Sequence, residues 1–153
     1  MKDNVIKVLK VEPKKKPEIC LLENELQALQ EAVSVGADYT GLIEIINLDR
    51  GVCLLCNEEG KLIGLEPNRR LYNDIICGVF YIIGEDENGE LASLSEEDAE
   101  FYAEYFKDFD EISKEEVDES SCVCLAPCGF MRRYLHISIS ALSRFNFIPF
   151  CSK

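Results

Sequence analysis

Charge falls along this chain in three unequal blocks, and that division limits what can fold with what. Residues 1–84 carry 13 acids and 10 bases, residues 85–119 carry 16 acids and two bases, and residues 120–153 carry four bases and no acid. A near-neutral body can supply a core, an acidic block must keep one side in water, and the basic, apolar end is a different kind of chain. The break near Ser120 also separates four of the eight cysteines from the rest. With 153 residues, 48 of them Leu, Ile, Val or Phe, the chain is one domain's worth of sequence with enough apolar side chains to bury a core. A net charge of −13 argues against a general binder of nucleic-acid backbones, whose affinity comes from Lys and Arg.

No apolar run approaches a membrane span, so no transmembrane segment is expected. The start, MKDNVIKVLKVEPKKKP, lacks the unbroken apolar centre of a signal peptide. A cytoplasmic location and reduced thiols are therefore expected.

The body reads as short strands parted by turns. Asn4 to Glu12 is rich in β-branched residues and is broken by Pro13 and Pro17; Glu18 to Leu22 is a second strand. Leu22, Leu26, Leu29 and Val33 recur at helical spacing, with Asn24 as cap, Gln27 three residues on and Gly36 as stop, which predicts a helix of about three turns. Tyr39 to Leu48 and Gly51 to Cys56 are strand-like. NEEGK predicts a hairpin turn with positive φ at Gly60, and Leu62 to Leu65 a returning strand. EPNRR predicts a further turn, and Asp74 to Gly84 one central strand with a bulge or close approach at Gly78. Ser95 with Asp98 opens a second helix, whose stripe Ala99, Tyr102, Phe106 and Phe109 should dock on the sheet. Its other side carries Glu97, Glu100, Glu104, Asp108 and Glu111 as a continuous acidic ridge. Each like-charge pair four apart costs an isolated helix about 0.2–0.5 kcal/mol.

The hairpin Cys56 to Lys61 (CNEEGK), the run Pro67 to Arg69 (PNR), the glycine-containing apolar run Ile75 to Ile83 and the acidic helix from Ser93 onward carry a resemblance. From about Asn4 to about Phe109 the chain resembles the domain-of-unknown-function family 3846 of bacteria, phages and mobile elements. The resemblance implies that genomic setting and no particular activity, and it leaves the C-terminal end uncovered.

Four groups of residues invite a chemical reading. Cys53 and Cys56 have dithiol spacing, but on a strand residues three apart point to opposite faces, so buried, inert thiols are the better expectation. Asn57, Lys61, Asn68 and Arg69, with Arg70, could form a small ligand or anion site where two hairpins meet; turn chemistry with Arg69 in a surface ion pair is the plainer alternative, and the one we favour. Cys122, Cys124 and Cys128 with His136 or Cys151 could close a tetrahedral zinc site, although their spacing matches no common module, so no metal or other cofactor is expected. The acidic ridge, in a block of 16 acids against two bases, suits a basic protein partner; a carboxylate row can also imitate a phosphate row and occupy a DNA-binding protein. Catalysis is the weakest reading, because a Cys–His pair would have to use His136, the one histidine.

The C-terminal end holds 19 apolar residues in 34. Leu135, Ile137 and Ile139 alternate like a strand, and Phe145, Phe147 and Phe150 with Arg132, Arg133 and Arg144 would suit an anionic lipid surface. A fused gene end without selected structure suits the break better, and a basic end folding back on the acidic block is the third reading.

The expected architecture is an α+β domain over residues 1–112, with a sheet of about five antiparallel or mixed strands and two helices, followed by an acidic linker and a basic, cysteine-containing end over 113–153. The expected function is that of a non-enzymatic interaction protein whose acidic helix meets a basic partner. The alternatives are a small-ligand domain at the NEEGK and PNR turns and a zinc-binding C-terminal end. Oligomeric state stays open.

Overall fold

Strands that are apolar on both sides need a cover on each, and this chain builds two. The structure, a computed structural model, describes residues 4–109, 111–122, 132–134 and 148–149. In β1 (Val5–Val11) the even residues Ile6 and Val8 enter one apolar layer and the odd residues Leu9 and Val11 the other. β2 (Glu18–Glu23) returns beside it after a turn in which Lys14 takes φ +59°. The chain then crosses through α1 (Leu26–Val33) to β3 (Ile43–Asp49), which turns at Gly51 into β4 (Val52–Asn57). A separate two-stranded hairpin follows, β5 (Pro67–Leu71) with β6 (Asp74–Cys77), before β7 (Phe80–Glu85) re-enters the main sheet between β4 and β1. The short β8 (Leu91–Ala92) pairs with β7, and α2 (Glu96–Tyr105) and α3 (Lys114–Cys122) come next. β9 (Arg132–Tyr134) and β10 (Ile148–Pro149) extend the sheet beyond β3, giving the order β10-β9-β3-β4-β7-β1-β2 with every pairing antiparallel.

The fold is α+β, as expected, with a larger sheet and a third helix. On one side, Leu26, Leu29 and Val33 of α1 cover Ile43, Ile45, Cys53, Leu55, Tyr81 and Ile83. On the other, Ala99, Tyr102 and Phe106 with Leu71 and Ile76 of the hairpin cover a cross-strand row, Leu9–Ile82–Leu54–Ile46, that runs in register through four strands. Burying such a side chain is worth about 1.5–3 kcal/mol, so a truncation to Ala in this row, as in the layer under α1, would be costly. The boundary expected at residue 112 falls just before α3, which lays Val117 against Leu65, Ile75 and Cys77. Among the described residues, no helix is long and apolar enough to cross a membrane.

Several local expectations need correction. Asp74 to Gly84 is two strands in two sheets, parted at Gly78, where φ is +86° and an added Cβ would lie 2.7 Å from Leu65 Cδ1. Leu62 to Leu65 forms no returning strand. Asn57 Oδ1 accepts from the Glu59 N–H and Ile63 N–H bonds Glu59 O, so the chain after β4 coils in consecutive turns. Gly60 lacks positive φ, which falls at Gly64; a Cβ on Gly60 would lie 2.7 Å from the Cys77 carbonyl oxygen. Pro67 to Arg70 lies in β5 instead of a turn, the reversal coming at Tyr72 with φ +54°, and the register shift between Pro67 and Arg69 makes Asn68 a bulge. α1 has eight residues, about two turns, and starts after Glu25; Asn24 donates instead to the Leu91 carbonyl, and Leu22 belongs to β2. Cys53 and Cys56 do enter opposite layers, as strand geometry requires.

Candidate functional site

The Ser95 hydroxyl accepts from the Asp98 N–H at 3.1 Å and donates to its carboxylate at 2.8 Å, fixing the start of α2. Glu96, Glu97 and Asp98 fill the first turn, where the helix dipole favours negative charge. Since Ala99, Tyr102 and Phe106 are drawn into the core, the opposite stripe is Glu97, Glu100, Phe101, Glu104 and Tyr105, all exposed. Phe101 is 61% and Tyr105 57% exposed, and their rings stack with centroids 6.4 Å apart at 22°. Phe101 also meets Tyr102 edge-on at 5.0 Å, and Tyr105 meets Phe106 at 4.8 Å, so the exposed pair is backed by buried rings that hold it in place. Glu104 pairs with Lys107.

The acidic ridge is shorter than its spacing predicted. Phe106 is the C-cap, and Lys107 N–H turns back to the Glu104 carbonyl, so Asp108 and Glu111 lie beyond the helix; both are exposed, off the stripe of Glu97, Glu100 and Glu104. Arg69 is part of that ending. Its Nε donates to the Phe106 carbonyl at 3.1 Å, placing a cation on one of the carbonyls that a helix end leaves unpaired.

Arg69 is therefore buried, contrary to the surface position expected of it. It is 2% exposed; Nη1 donates to the Asn68 backbone carbonyl and to Asn68 Oδ1, Nη2 donates to the Lys15 carbonyl at 2.8 Å, and the guanidinium sits 5.3 Å over the Phe109 ring. Asn68 donates to the carbonyls of Val11 and Gly78, both at 2.9 Å. These two side chains thus join β5 to β1, to the β1–β2 turn and to the end of α2. The other two residues of the expected ligand site do different work. Lys61 pairs with Asp74 of the hairpin, and Asn57 caps its turn and donates to the Val33 carbonyl. Arg70 reaches Glu116 of α3 at 2.7 Å and the Glu111 carbonyl.

Beside this junction lies an open groove of about 570 Å³ lined by Lys14, Glu66, Pro67, Phe109, Glu111 and Ile112. Lys14 bonds Glu66 across it at 2.8 Å, which holds the ammonium above its ordinary pKa. The thiols of Cys20 and Cys77 are pushed up by burial, the reverse of an activated cysteine. Among the described residues, no group of three His, Cys, Asp or Glu could hold a metal ion. The zinc candidates Cys124, Cys128, His136 and Cys151 lie outside the described residues, as does the Cys122 side chain. The alternating run Leu135 to Ile139, the phenylalanines Phe145, Phe147 and Phe150, and Arg144 lie outside them too.

The residues that sequence reasoning missed are Phe101 and Tyr105. Their signal was there to read: two aromatics four apart on the side of the helix opposite the core stripe.

A sequence model described as Domain of unknown function (DUF3846) matches residues 6–107, two thirds of the chain. No curated protein and no solved structure matches.

Proposed function

The chain belongs to the DUF3846 family, and from that premise we propose that it is a non-enzymatic interaction protein of bacterial, phage or mobile-element type, acting in the cytoplasm, whose α2 face binds a basic protein segment. One observation carries this reading: the stacked, exposed pair Phe101 and Tyr105 lies within a stripe of three carboxylates, Glu97, Glu100 and Glu104. Two exposed rings cost solvation unless something covers them, and carboxylates beside them select a cation. An arginine suits both, laying its plane on a ring while its N–H groups reach a carboxylate; lysine offers only the point charge. The buried rings behind the pair keep it ordered before binding, which lowers the entropy cost of association.

The PNR segment supports the same surface from beneath, through the Arg69 bond to Phe106. The ligand-site reading of Asn57, Lys61, Asn68 and Arg69 keeps one observation in its favour, the groove beside Pro67. The acidic face is favoured because the Asn68 and Arg69 side chains spend donors on backbone carbonyls.

Fluorescence anisotropy with a labelled deca-arginine peptide tests the proposal on the full chain. Reversing Glu97, Glu100 and Glu104 to Lys should weaken binding about tenfold or more, while reversing Glu25, Glu31 and Asp38 on the other side of the sheet should have a much smaller effect. Equal losses would mean that only net charge matters and would contradict a defined site. Phe101→Ala should weaken deca-arginine binding more than deca-lysine binding.

A further inference from the structure

β2 ends the main sheet. It pairs with β1 from Val5↔Glu23 to Lys10↔Glu18, and among the described residues no strand pairs with its outer side. An edge strand of this kind presents a row of backbone N–H and C=O groups, and proteins usually protect such an edge with Lys, Pro or a bulge. The strand Glu18–Glu23 (EICLLE) has none of these within it. Its even residues Cys20 and Leu22 pack against the α1 layer, whereas Ile19 and Leu21, on the α2 side, are 53% and 72% exposed. Val5, a diagonal neighbour of Leu21 on β1, is 42% exposed on the same side.

We infer that a second copy of this chain adds its own β2 antiparallel to this one, joining two sheets into one. Three features of the strand select this occupant. A twofold axis normal to the sheet keeps like sides together, so directly opposed residues must share a side; that limits the register to one centred on a residue. The register centred on Cys20 sets Ile19 against Leu21 of the second copy, and the reverse, so all four exposed side chains cover one another. It sets Glu18 against Leu22 of the second copy, with no acid facing an acid. The register centred on Leu21 would instead put Ile19 against Glu23. Charge agrees as well: the exposed Lys16 precedes the strand, the exposed Glu23 ends it and the exposed Glu25 follows, so antiparallel pairing carries the basic turn of each copy toward the acidic exit of the other.

The inference rests on β2 alone and is independent of the reading of α2, but it has a consequence for it. The same twofold axis places both α2 helices on one side of the joined sheet, so a basic partner with two suitable segments meets two sites in one orientation.

The test uses the full chain. Sedimentation over a wide concentration range should show a dimer, and Leu21→Lys, at a position open to water, should weaken it at least tenfold while leaving the melting temperature of the monomer nearly unchanged. Directly opposed residues have Cα atoms about 4.5–5.5 Å apart, so a short bismaleimide should join Cys20 to Cys20, a cross-link identified by peptide mass spectrometry and absent from Cys20→Ser. A monomer at every concentration, a dimer indifferent to Leu21→Lys, or cross-links only through other cysteines would overturn the inference.

Discussion

A guanidinium withdrawn from water is costly unless its N–H groups find acceptors, and Arg69 finds them on three separate pieces of chain: Phe106, Lys15 and Asn68. Removing it would strand those carbonyls and leave the end of α2 without its cation. Arg69→Ala should therefore cost about 1–3 kcal/mol or more in urea unfolding, the penalty for leaving buried acceptors without a donor. Arg69→Lys should recover little of this, since an ammonium cannot reproduce the planar fork. Tyr102 makes a second prediction at this scale. Burial pushes its hydroxyl up to about 12 from an ordinary value of 10, with smaller contributions from nearby Asp49, Tyr72, Asp98 and Tyr105, and burial raises Tyr81 as well. The unfolded chain thus loses these protons first. Stability should hold up to the ordinary tyrosine range and fall as pH rises through it toward the raised values, with Tyr102→Phe flattening the fall; urea midpoints between about pH 9 and about pH 11 check this.

At the scale of elements, what the sequence makes legible is whatever depends on near neighbours. β1, β2 and the Ser95-capped α2 follow from β-branched runs and a capping pair, and the opposed burial of Cys53 and Cys56 follows from strand parity. What periodicity cannot see is where a strand changes sheets. Asp74 to Gly84 is uniformly apolar, because β6 and β7 are both buried; only the left-handed φ of Gly78 parts them. The PNR segment carries turn residues, yet its Asn and Arg bond to Val11, Gly78, Lys15 and Phe106, partners mostly distant in sequence, and these hold it as a bulged strand. The acidic ridge stops short of its spacing for the same reason: the spacing of acids runs on to Glu111, while a buried arginine from another element stands at the helix end. Gly78 gives the prediction at this scale. A Cβ there meets both a strained φ and Leu65 Cδ1 at 2.7 Å, so Gly78→Ala should destabilise by about 1–3 kcal/mol, measured by chemical unfolding.

At the scale of the whole molecule, the charge division that opens the sequence corresponds to a division of labour. The near-neutral body supplies the central strands of the sheet and α1, with both apolar layers largely closed by residue 106. The acidic block supplies α2, which spends one stripe on the core and keeps in water an opposite stripe of three carboxylates and two aromatic rings. α3 carries that acidity onward while holding to the hairpin through Val117 and the Arg70–Glu116 pair. The central claim is that the water-facing stripe of α2 is the binding surface. Amide hydrogen exchange of the full chain, with and without deca-arginine, tests it most directly, because it reports where the peptide acts and not merely that it binds. Protection should rise in α2 and the residues just after it and stay unchanged in α1 and the loop after β4. Protection confined to other elements, or none anywhere under conditions where the peptide is bound, would contradict the account.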